Sequence, residues 1–352
     1  MKCTRCLNDS SVRNISFDSE GVCNFCRGYE SIADKLNDRQ TLYKLFESKI
    51  ERVRGKHRYD AALGFSGGKD SAYVLSQLTK RYGLNVKAFT MDNGFLSPRA
   101  KENIDRLVKS FGVDHEYVTF DPNMMKRVYH YSMSKLLVPC IACSYIGYAA
   151  QIGYASRVDA GLCIHGRSPE QMLRSYPLDV FSQFVDMGLE DSDERDFGKA
   201  YMKLLDVVKE KVDADIYEDI RSVAFDGVDT SDLREFVPYF LYHPYDEGEI
   251  VRWLKENTVW TPPKDYNHFD CEVHNAAKYI YQRAEGRPHR LPEISVLVRS
   301  GCLTRKEGEA LLKQEIIRQK PKDELKKLCS FAGVSQTLLF AKAEIYNKVI
   351  KP

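Results

Sequence analysis

The sequence has no large excess of charge, no long apolar run, no internal repeat and no low-complexity segment. Its 52 lysines and arginines nearly balance 50 acidic residues, giving a net charge of +2 over 352 residues. This excludes a strongly polyelectrolyte surface but not a local nucleic-acid patch. Apolar runs stay well short of the ~20 residues of a membrane span, and the first residues contain no apolar signal core. We therefore expect a cytoplasmic protein without a membrane partner, built from two or three units.

Cysteine, in contrast, is abundant, with ten residues in the chain. Disulfides rarely persist in a reducing compartment, so closely spaced cysteines there more often bind metal or perform redox chemistry. Two C-x2-C pairs separated by sixteen residues open the chain: Cys3, Cys6, Cys23 and Cys26. This spacing predicts a structural Zn²⁺ site closed by four thiolates, which would stabilise a segment with too little core to fold alone. A redox dithiol and an iron–sulfur cluster are the alternatives.

From residue 59 the sequence alternates between short apolar runs and amphipathic helical patterns. This alternation predicts βαβ units and an α/β fold, a five-stranded parallel sheet flanked by helices. The predicted strands are Ala61–Phe65, Val86–Met91, His115–Phe120, Val158–Ile164 and Phe236–Tyr242, with helices at about 70–82, 98–111 and 122–155. The predicted units are a four-cysteine zinc module (1–30), a linker helix (31–58), a catalytic domain (59–268) and a helical C-terminal region (269–352).

The turn after the first predicted strand reads Ser66-Gly67-Gly68-Lys69-Asp70-Ser71 and opens a helix. Two glycines let backbone amides approach a ligand closely, and the N-terminal amides of a helix favour a phosphate group. The serines add hydroxyl donors, and the lysine adds a positive charge. Its spacing matches neither the G-x4-GK-[ST] loop nor G-x-G-x-x-G. We predict a phosphate-binding turn, the alternative being a glycine-rich connection with incidental serines.

SGGKDS resembles the PP-loop of the ATP pyrophosphatase superfamily, whose fold is adenine nucleotide alpha hydrolase-like. The resemblance covers about residues 59–260. It implies that the loop holds the pyrophosphate of ATP and that AMP is transferred to an acceptor oxygen, usually of a carbonyl or amide. The implied ATP-binding residues are Phe65, Ser66, Gly67, Gly68, Lys69, Asp70, Ser71, Met91, Asp92 and Gly166.

The implied catalytic residues are Lys69, Asp70 and Glu170. Lys69 would neutralise charge that develops on pyrophosphate. Asp70 and Asp92 could hold Mg²⁺ together with phosphate oxygens, although each could equally be a helix cap or turn residue. Three residues that follow the fourth predicted strand, His165, Arg167 and Glu170, could contact the acceptor, with helix capping or surface pairing as the alternative.

A third C-x2-C pair, Cys140 and Cys143, precedes the fourth predicted strand, and Cys271 follows the fifth. Three cysteines at the mouth of the sheet could ligate three irons of a [4Fe–4S] cluster and leave one iron open. The alternatives are a buried thiol pair with an unrelated cysteine, or a catalytic disulfide between Cys140 and Cys143. Together with the zinc module and SGGKDS, the P-C-x-x-C sequence resembles the [4Fe–4S]-dependent tRNA thiolases of this superfamily. That resemblance implies a cluster-borne sulfur that attacks the adenylated carbon, with tRNA as a candidate substrate.

A second resemblance spans almost the whole chain. The opening M-K-C-x-x-C, the segment Phe17–Cys26 and the segment Gly301–Gly308 resemble the N-acetyl sugar amidotransferases. This implies a small-molecule or sugar substrate whose acetamido group becomes acetamidino, with ammonia from a glutaminase partner. We predict an ATP-dependent transferase that inserts cluster-borne sulfur, with amidotransfer as the first alternative and a non-catalytic zinc-and-nucleotide regulatory module as the second. A sulfur-donor protein and a homodimer are compatible with the sequence.

Overall fold

The computed structural model describes residues 1–12, 15–168, 189, 201–202, 205–206, 208–210, 212–262 and 271–350. The predicted catalytic residue Glu170 lies outside this part of the chain, as does the predicted boundary between catalytic domain and C-terminal region. Within it, no helix combines the length and apolar character that crossing a membrane requires.

Five parallel strands form a sheet in the order β3-β2-β1-β4-β5, which confirms the predicted fold class. The strands are Tyr59–Gly64 (β1), Val86–Asp92 (β2), Asp114–Thr119 (β3), Ala160–His165 (β4) and Glu235–Pro238 (β5). In register, Ala61 of β1 pairs with Val86 on one side and Leu162 on the other. The strand order reverses direction beside β1, and open α/β sheets bind ligands at the carboxyl ends of strands near such a switch.

Helices cover both faces of the sheet and form the C-terminal part of the described chain. They are α1 (Asn24–Asn37), α2 (Arg39–Val53), α3 (Lys69–Ser76), α4 (Pro98–Phe111), α5 (Pro122–Tyr131), α6 (Cys140–Arg157), α7 (Ala214–Phe225), α8 (Tyr239–Tyr242), α9 (Glu247–Asn257), α10 (His274–Glu285), α11 (Leu291–Arg299), α12 (Arg305–Gln314), α13 (Lys322–Ala332) and α14 (Gln336–Ile345). Short π-helical segments extend α3, α5 and α14. The C-terminal helices α10, α13 and α14 share one hydrophobic core with α5 and α6.

Two predicted elements differ from the structure. The fifth strand ends at Pro238, which has no backbone N–H to continue the ladder, and the buried residues Tyr239–Tyr242 turn into a short helix. The single helix predicted over 31–58 is two helices, because α1 begins inside the four-cysteine segment and the chain breaks at Asp38. The Asp38 carboxylate accepts a hydrogen bond from the Thr41 amide at 3.2 Å and so caps α2.

The chain also breaks between α5 and α6, and this break positions the third C-x2-C pair. Leu137 adopts a left-handed conformation with φ 58°, and Pro139 is the N-cap of α6. Cys140 and Cys143 therefore lie three residues apart in the first turn of α6, on one face of the helix. The positive end of a helix dipole favours the thiolate form of a cysteine.

Candidate functional site

The loop after β1 contains a glycine where α4 crosses it. Gly67 has φ +72°, and a Cβ atom there would lie 2.6 Å from Cγ1 of the buried Ile104 side chain. The Asn103 side-chain amide donates to the Gly67 carbonyl at 2.8 Å, which fixes the loop on α4. The backbone amides of Ser66 and Gly68 donate only to serine hydroxyls, at 3.2 and 3.3 Å. Phosphate oxygens could replace these long hydrogen bonds.

Lys69 opens α3 among acidic groups. Its Nζ lies 3.1 Å from Asp70 Oδ2 and 3.8 Å from Glu247 Oε1. Burial opposes the charged ammonium, but these carboxylates outweigh it and raise the pKa of Lys69. The Tyr245 hydroxyl donates to Asp70 Oδ1 at 3.2 Å. The loop thus keeps a positive charge at the start of α3. This charge would stabilise the negative charge that develops on a leaving pyrophosphate.

The end of β2 carries the residues expected beside the adenine. A Cβ at Gly147 would lie 3.1 Å from the Met91 sulfur, so glycine lets α6 approach this strand. Asp92 Oδ2 accepts a hydrogen bond from Lys101 Nζ at 2.8 Å. Asp92 and Asp70 each lie against a lysine ammonium. A Mg²⁺ ion would compete with these ammonium groups for both carboxylates.

The end of β4 packs directly onto the loop Ser66–Ser71, which we call the nucleotide loop. A Cβ at Gly166 would lie 3.2 Å from the Asp70 carbonyl oxygen, so a larger residue would push the two loops apart. The His165 ring stacks on Phe236 with centroids 4.5 Å apart. The Arg167 amide donates to His165 Nδ1 at 3.1 Å, which leaves the ring proton on Nε2. Burial, and then the Arg167 charge, lowers the pKa of His165 to about 3, so the ring is neutral at pH 7.

The four N-terminal cysteines form a buried set of sulfurs, which we call the four-cysteine module. All four sulfurs lie within 4.8 Å of one another. The Cys3 and Cys26 sulfurs are 3.8 Å apart, and those of Cys6 and Cys23 are 3.7 Å apart. Hydrogen bonds among the closely packed thiols lower the pKa of Cys23 and raise the pKa of Cys6 and Cys26. The module can hold a metal centre.

Two arginines attach the four-cysteine module to the C-terminal helices. Arg305 Nη1 donates to the carbonyls of Cys3 and Cys6, each at 3.0 Å. Arg299 Nη2 lies 3.8 Å from Cys6 Sγ. Arg299 is the last residue of α11. The module is therefore held by the end of α11 and the start of α12. The negative charge of Glu293, near the start of α11, contributes to the raised pKa of Lys69.

Cys140, Cys143 and Cys271 lie around one buried tyrosine, Tyr129 of α5. Burial, and then the charges of Cys143, Cys271 and Cys140, raise the pKa of Tyr129 well above its usual range. The Tyr129 hydroxyl oxygen is 2.7 Å from Cys143 Sγ. Cys271 reaches this region through an antiparallel bridge with Leu96, in the loop after β2. The structure thus places all three cysteines near Tyr129, and we call them the three-cysteine site.

The sulfurs of the three-cysteine site are more widely spaced than those of the module. Among the described residues, the four-cysteine module is the one group of three or more ligating side chains whose donor atoms all lie within 4.8 Å of one another. The three cysteines are each partly exposed. A preformed site for a single ion needs closer sulfurs, whereas a four-iron cluster has its irons between them. The donor set of partly exposed thiols, two of them at a helix N-terminus, fits such a cluster.

Sequence reasoning missed the polar partners of Cys143. Tyr129 lies in an apolar helical pattern with Met125 and Val128, so it reads as a core residue. Asn93 Nδ2 donates to Cys143 Sγ at 3.0 Å, whereas the sequence predicts this residue only as part of the segment beside the adenine. Its place directly after a strand, at the ligand-binding edge of a parallel sheet, is the signal that could have found it.

No family model matches this chain. Over 115 residues it is 27% identical to an uncharacterized protein of Methanocaldococcus jannaschii, which covers 32% of this chain and 41% of that protein. Over 105 residues it is 31% identical to a GMP synthase (glutamine-hydrolyzing) of Pyrobaculum aerophilum, which covers 30% of this chain and 20% of that protein. The chain therefore matches less than half the length of either relative.

Solved structures superpose loosely on the chain. The U34-tRNA thiolase NcsA from Methanococcus maripaludis, solved with its [4Fe–4S] cluster, has 13% identity and a TM-score of 0.37, covering 95% of this chain and 96% of its own. The NMN synthetase from Francisella tularensis has 12% identity and a TM-score of 0.37, covering 88% of this chain and 95% of its own. These scores are low, and the class of this protein follows from its own loop and sheet.

SGGKDS lies directly after β1 at the start of α3, in a parallel sheet of order β3-β2-β1-β4-β5. The chain therefore has the sheet and the loop position that the resemblance to the PP-loop ATP pyrophosphatase superfamily predicts, which confirms that resemblance at the level of the fold. The GMP synthase relative belongs to the same superfamily.

Proposed function

We propose that this protein uses ATP to adenylate a carbonyl or amide oxygen of an acceptor, and then replaces that oxygen by sulfur at the three-cysteine site. One observation carries the proposal. The loop after β2 contacts the three-cysteine site twice, through Asn93 at Cys143 and through Leu96 at Cys271. The same loop continues from the strand end that is expected to bracket the adenine. This one loop would therefore line both the nucleotide site and the sulfur centre.

In the first step the acceptor oxygen attacks the α-phosphorus of ATP. A new phosphorus–oxygen bond forms while the bond to pyrophosphate breaks. The amides of Ser66 and Gly68 and the Lys69 ammonium would hold the departing pyrophosphate and stabilise its charge. Asp70 and Asp92 are the proposed Mg²⁺ ligands, in exchange for their lysine partners. Adenylation is useful because a carbonyl oxygen is a poor leaving group and AMP is a good one.

In the second step sulfur replaces AMP on the activated carbon. When bound to Cys140, Cys143 and Cys271, a [4Fe–4S] cluster would supply the sulfur nucleophile. The chain's contribution is to orient these ligands. Two of them lie in the first turn of α6, and the third pairs with Leu96 of the β2 loop. Their partial exposure leaves the centre open to the acceptor.

We propose Zn²⁺ for the four-cysteine module. A tetrahedral ion with Zn–S bonds of about 2.3 Å spaces its sulfurs about 3.8 Å apart, and the observed pairs are 3.8 and 3.7 Å apart. Four thiolates leave no open coordination position, so the metal would stabilise the module and, through Arg305, its contact with the C-terminal helices. A reducing cytoplasm suits both thiol sites.

Amidotransfer is the second candidate. The match to a GMP synthase described as glutamine-hydrolyzing favours it, together with the resemblance to N-acetyl sugar amidotransferases. Ammonia from a glutaminase would then attack the same adenylated carbon, and the first step would be unchanged. The acceptor would be a small molecule or sugar in this case, whereas sulfur insertion is also compatible with tRNA.

Anaerobic purification followed by a pyrophosphate assay with ATP and candidate acceptors tests the proposal. We expect iron in the wild type, Lys69→Ala to lose pyrophosphate release but keep iron, and Cys271→Ser to lose iron but keep ATP binding. Cys302→Ser, at an exposed cysteine, is the matched control and should change neither. An iron-free protein whose turnover depends on ammonia would support amidotransfer instead, and ATP binding without pyrophosphate release for any acceptor would contradict both.

A further inference from the structure

Two hydrogen-bond donors converge on one sulfur of the three-cysteine site. The orientation of the Asn93 amide is fixed because its Oδ1 accepts a hydrogen bond from the Phe95 backbone amide at 2.9 Å. Its Nδ2 therefore faces Cys143 Sγ at 3.0 Å and the Tyr129 hydroxyl oxygen at 3.3 Å. One amide group supplies a hydrogen to each of these two acceptors.

The Tyr129 hydroxyl completes this arrangement. The hydroxyl oxygen accepts from Asn93 and lies 2.7 Å from Cys143 Sγ. When Cys143 is a thiolate ligand, its sulfur can only accept, and the hydroxyl is then the donor. The ring is 2% exposed. It lies edge-on to Phe95 and Phe331, with centroids 5.4 and 5.6 Å away. Packing on both sides of the ring fixes the position of the hydroxyl oxygen beside the sulfur.

We propose that Asn93 and Tyr129 are positioning residues of the three-cysteine site, which hold the Cys143 sulfur in place and reduce its electron donation to the group it ligates. This inference rests on the proposed sulfur-transfer function. Hydrogen bonds to a ligating sulfur stabilise its negative charge, and around iron–sulfur clusters they make the reduced state easier to reach. The pair thus sets the reduction potential of the centre and the retention of its iron.

The test compares Tyr129→Phe and Asn93→Ala with the wild type after anaerobic reconstitution with iron and sulfide. Tyr129→Phe keeps the ring packing and removes only the hydroxyl, and Asn93 lies in a half-buried loop where alanine leaves the core intact. The matched control is Tyr131→Phe on the same helix. The charged groups that act on the Tyr131 hydroxyl are Asp213 and Asp215, not the cysteines. The readouts are the midpoint potential of the bound centre and the rate of iron loss to a chelator.

We expect a more negative midpoint potential and faster iron loss in both variants, and wild-type values in the control. If the wild type binds a cluster and the two variants match it in both readouts, this inference is wrong while the proposed function stands. If the wild type takes up no iron, the sulfur-transfer function fails and this inference fails with it.

Discussion

Replacing Gly67 by alanine tests the nucleotide loop at its most constrained position. A positive φ costs an alanine roughly 1–2 kcal/mol, and Gly67 has φ +72°. The new methyl group would also lie 2.6 Å from Cγ1 of Ile104, which is fully buried on α4. Overpacking of this kind costs about 1–3 kcal/mol. We therefore expect Gly67→Ala to lose about 2–5 kcal/mol of unfolding free energy, measured by urea titration.

The same substitution should weaken ATP binding because relief of the contact moves the loop amides away from the phosphates. Each 1.4 kcal/mol of lost binding energy weakens affinity about tenfold, and we expect at least this much by isothermal titration. Gly83→Ala is the matched control, with φ +64° and no atom within 4 Å of its Cβ position. It should lose only the backbone cost and bind ATP normally. Equal ATP affinities in the two variants would refute the role assigned to the loop.

Three further predictions concern the stability of the fold and the metal retention of the four-cysteine module. Lys49→Ala should cost about 3–5 kcal/mol in urea unfolding, because the buried Lys49 ammonium lies 2.6 Å from Glu235 Oε1; Lys44→Ala on the exposed side of α2 should have little effect. His165 has a folded pKa of about 3 against about 6.5 unfolded. Stability should therefore be full above pH 6.5 and fall by about 1.4 kcal/mol per pH unit below it; a slope unchanged by His165→Gln would contradict this. Arg305→Ala should speed the loss to a chelator of a metal bound by the four-cysteine module, because Arg305 donates to the Cys3 and Cys6 carbonyls; an unchanged rate of loss would argue against a role of Arg305 in holding the module.

Local sequence signals account for what could be predicted. Helix α4 matches its predicted span of 98–111 because Ser97 caps it, Pro98 occupies its first turn and Gly112 ends it with φ 64°. The five-strand fold and the phosphate turn follow from equally local patterns. The end of β5 at Pro238 was missed because a run of buried aromatic residues suits a strand and a helix equally well.

The partners of Cys143 could not be predicted for a different reason. Asn93 and Tyr129 are 36 residues apart, and nothing local ties either of them to a cysteine. Only the packing of α5 against the β2 loop brings them together. The same holds for Arg305, which is 302 residues from Cys3, whose carbonyl it contacts. Such long-range polar contacts depend on tertiary packing rather than on any local periodicity.

The chain contains its own comparison for the role of Cys143. Cys163, inside β4, is fully buried and donates its S–H to the Gln151 carbonyl at 3.3 Å, and burial raises its pKa to about 12. That is how a thiol behaves when it serves only to fill a core. Cys143 differs because it is partly exposed, lies in the first turn of a helix and has two neutral polar groups, the Asn93 amide and the Tyr129 hydroxyl, against its sulfur. Donors aimed at a sulfur stabilise negative charge on it, which a ligand or a sulfur carrier requires and an ammonia-dependent enzyme does not. The environment of this one sulfur therefore favours sulfur insertion over amidotransfer.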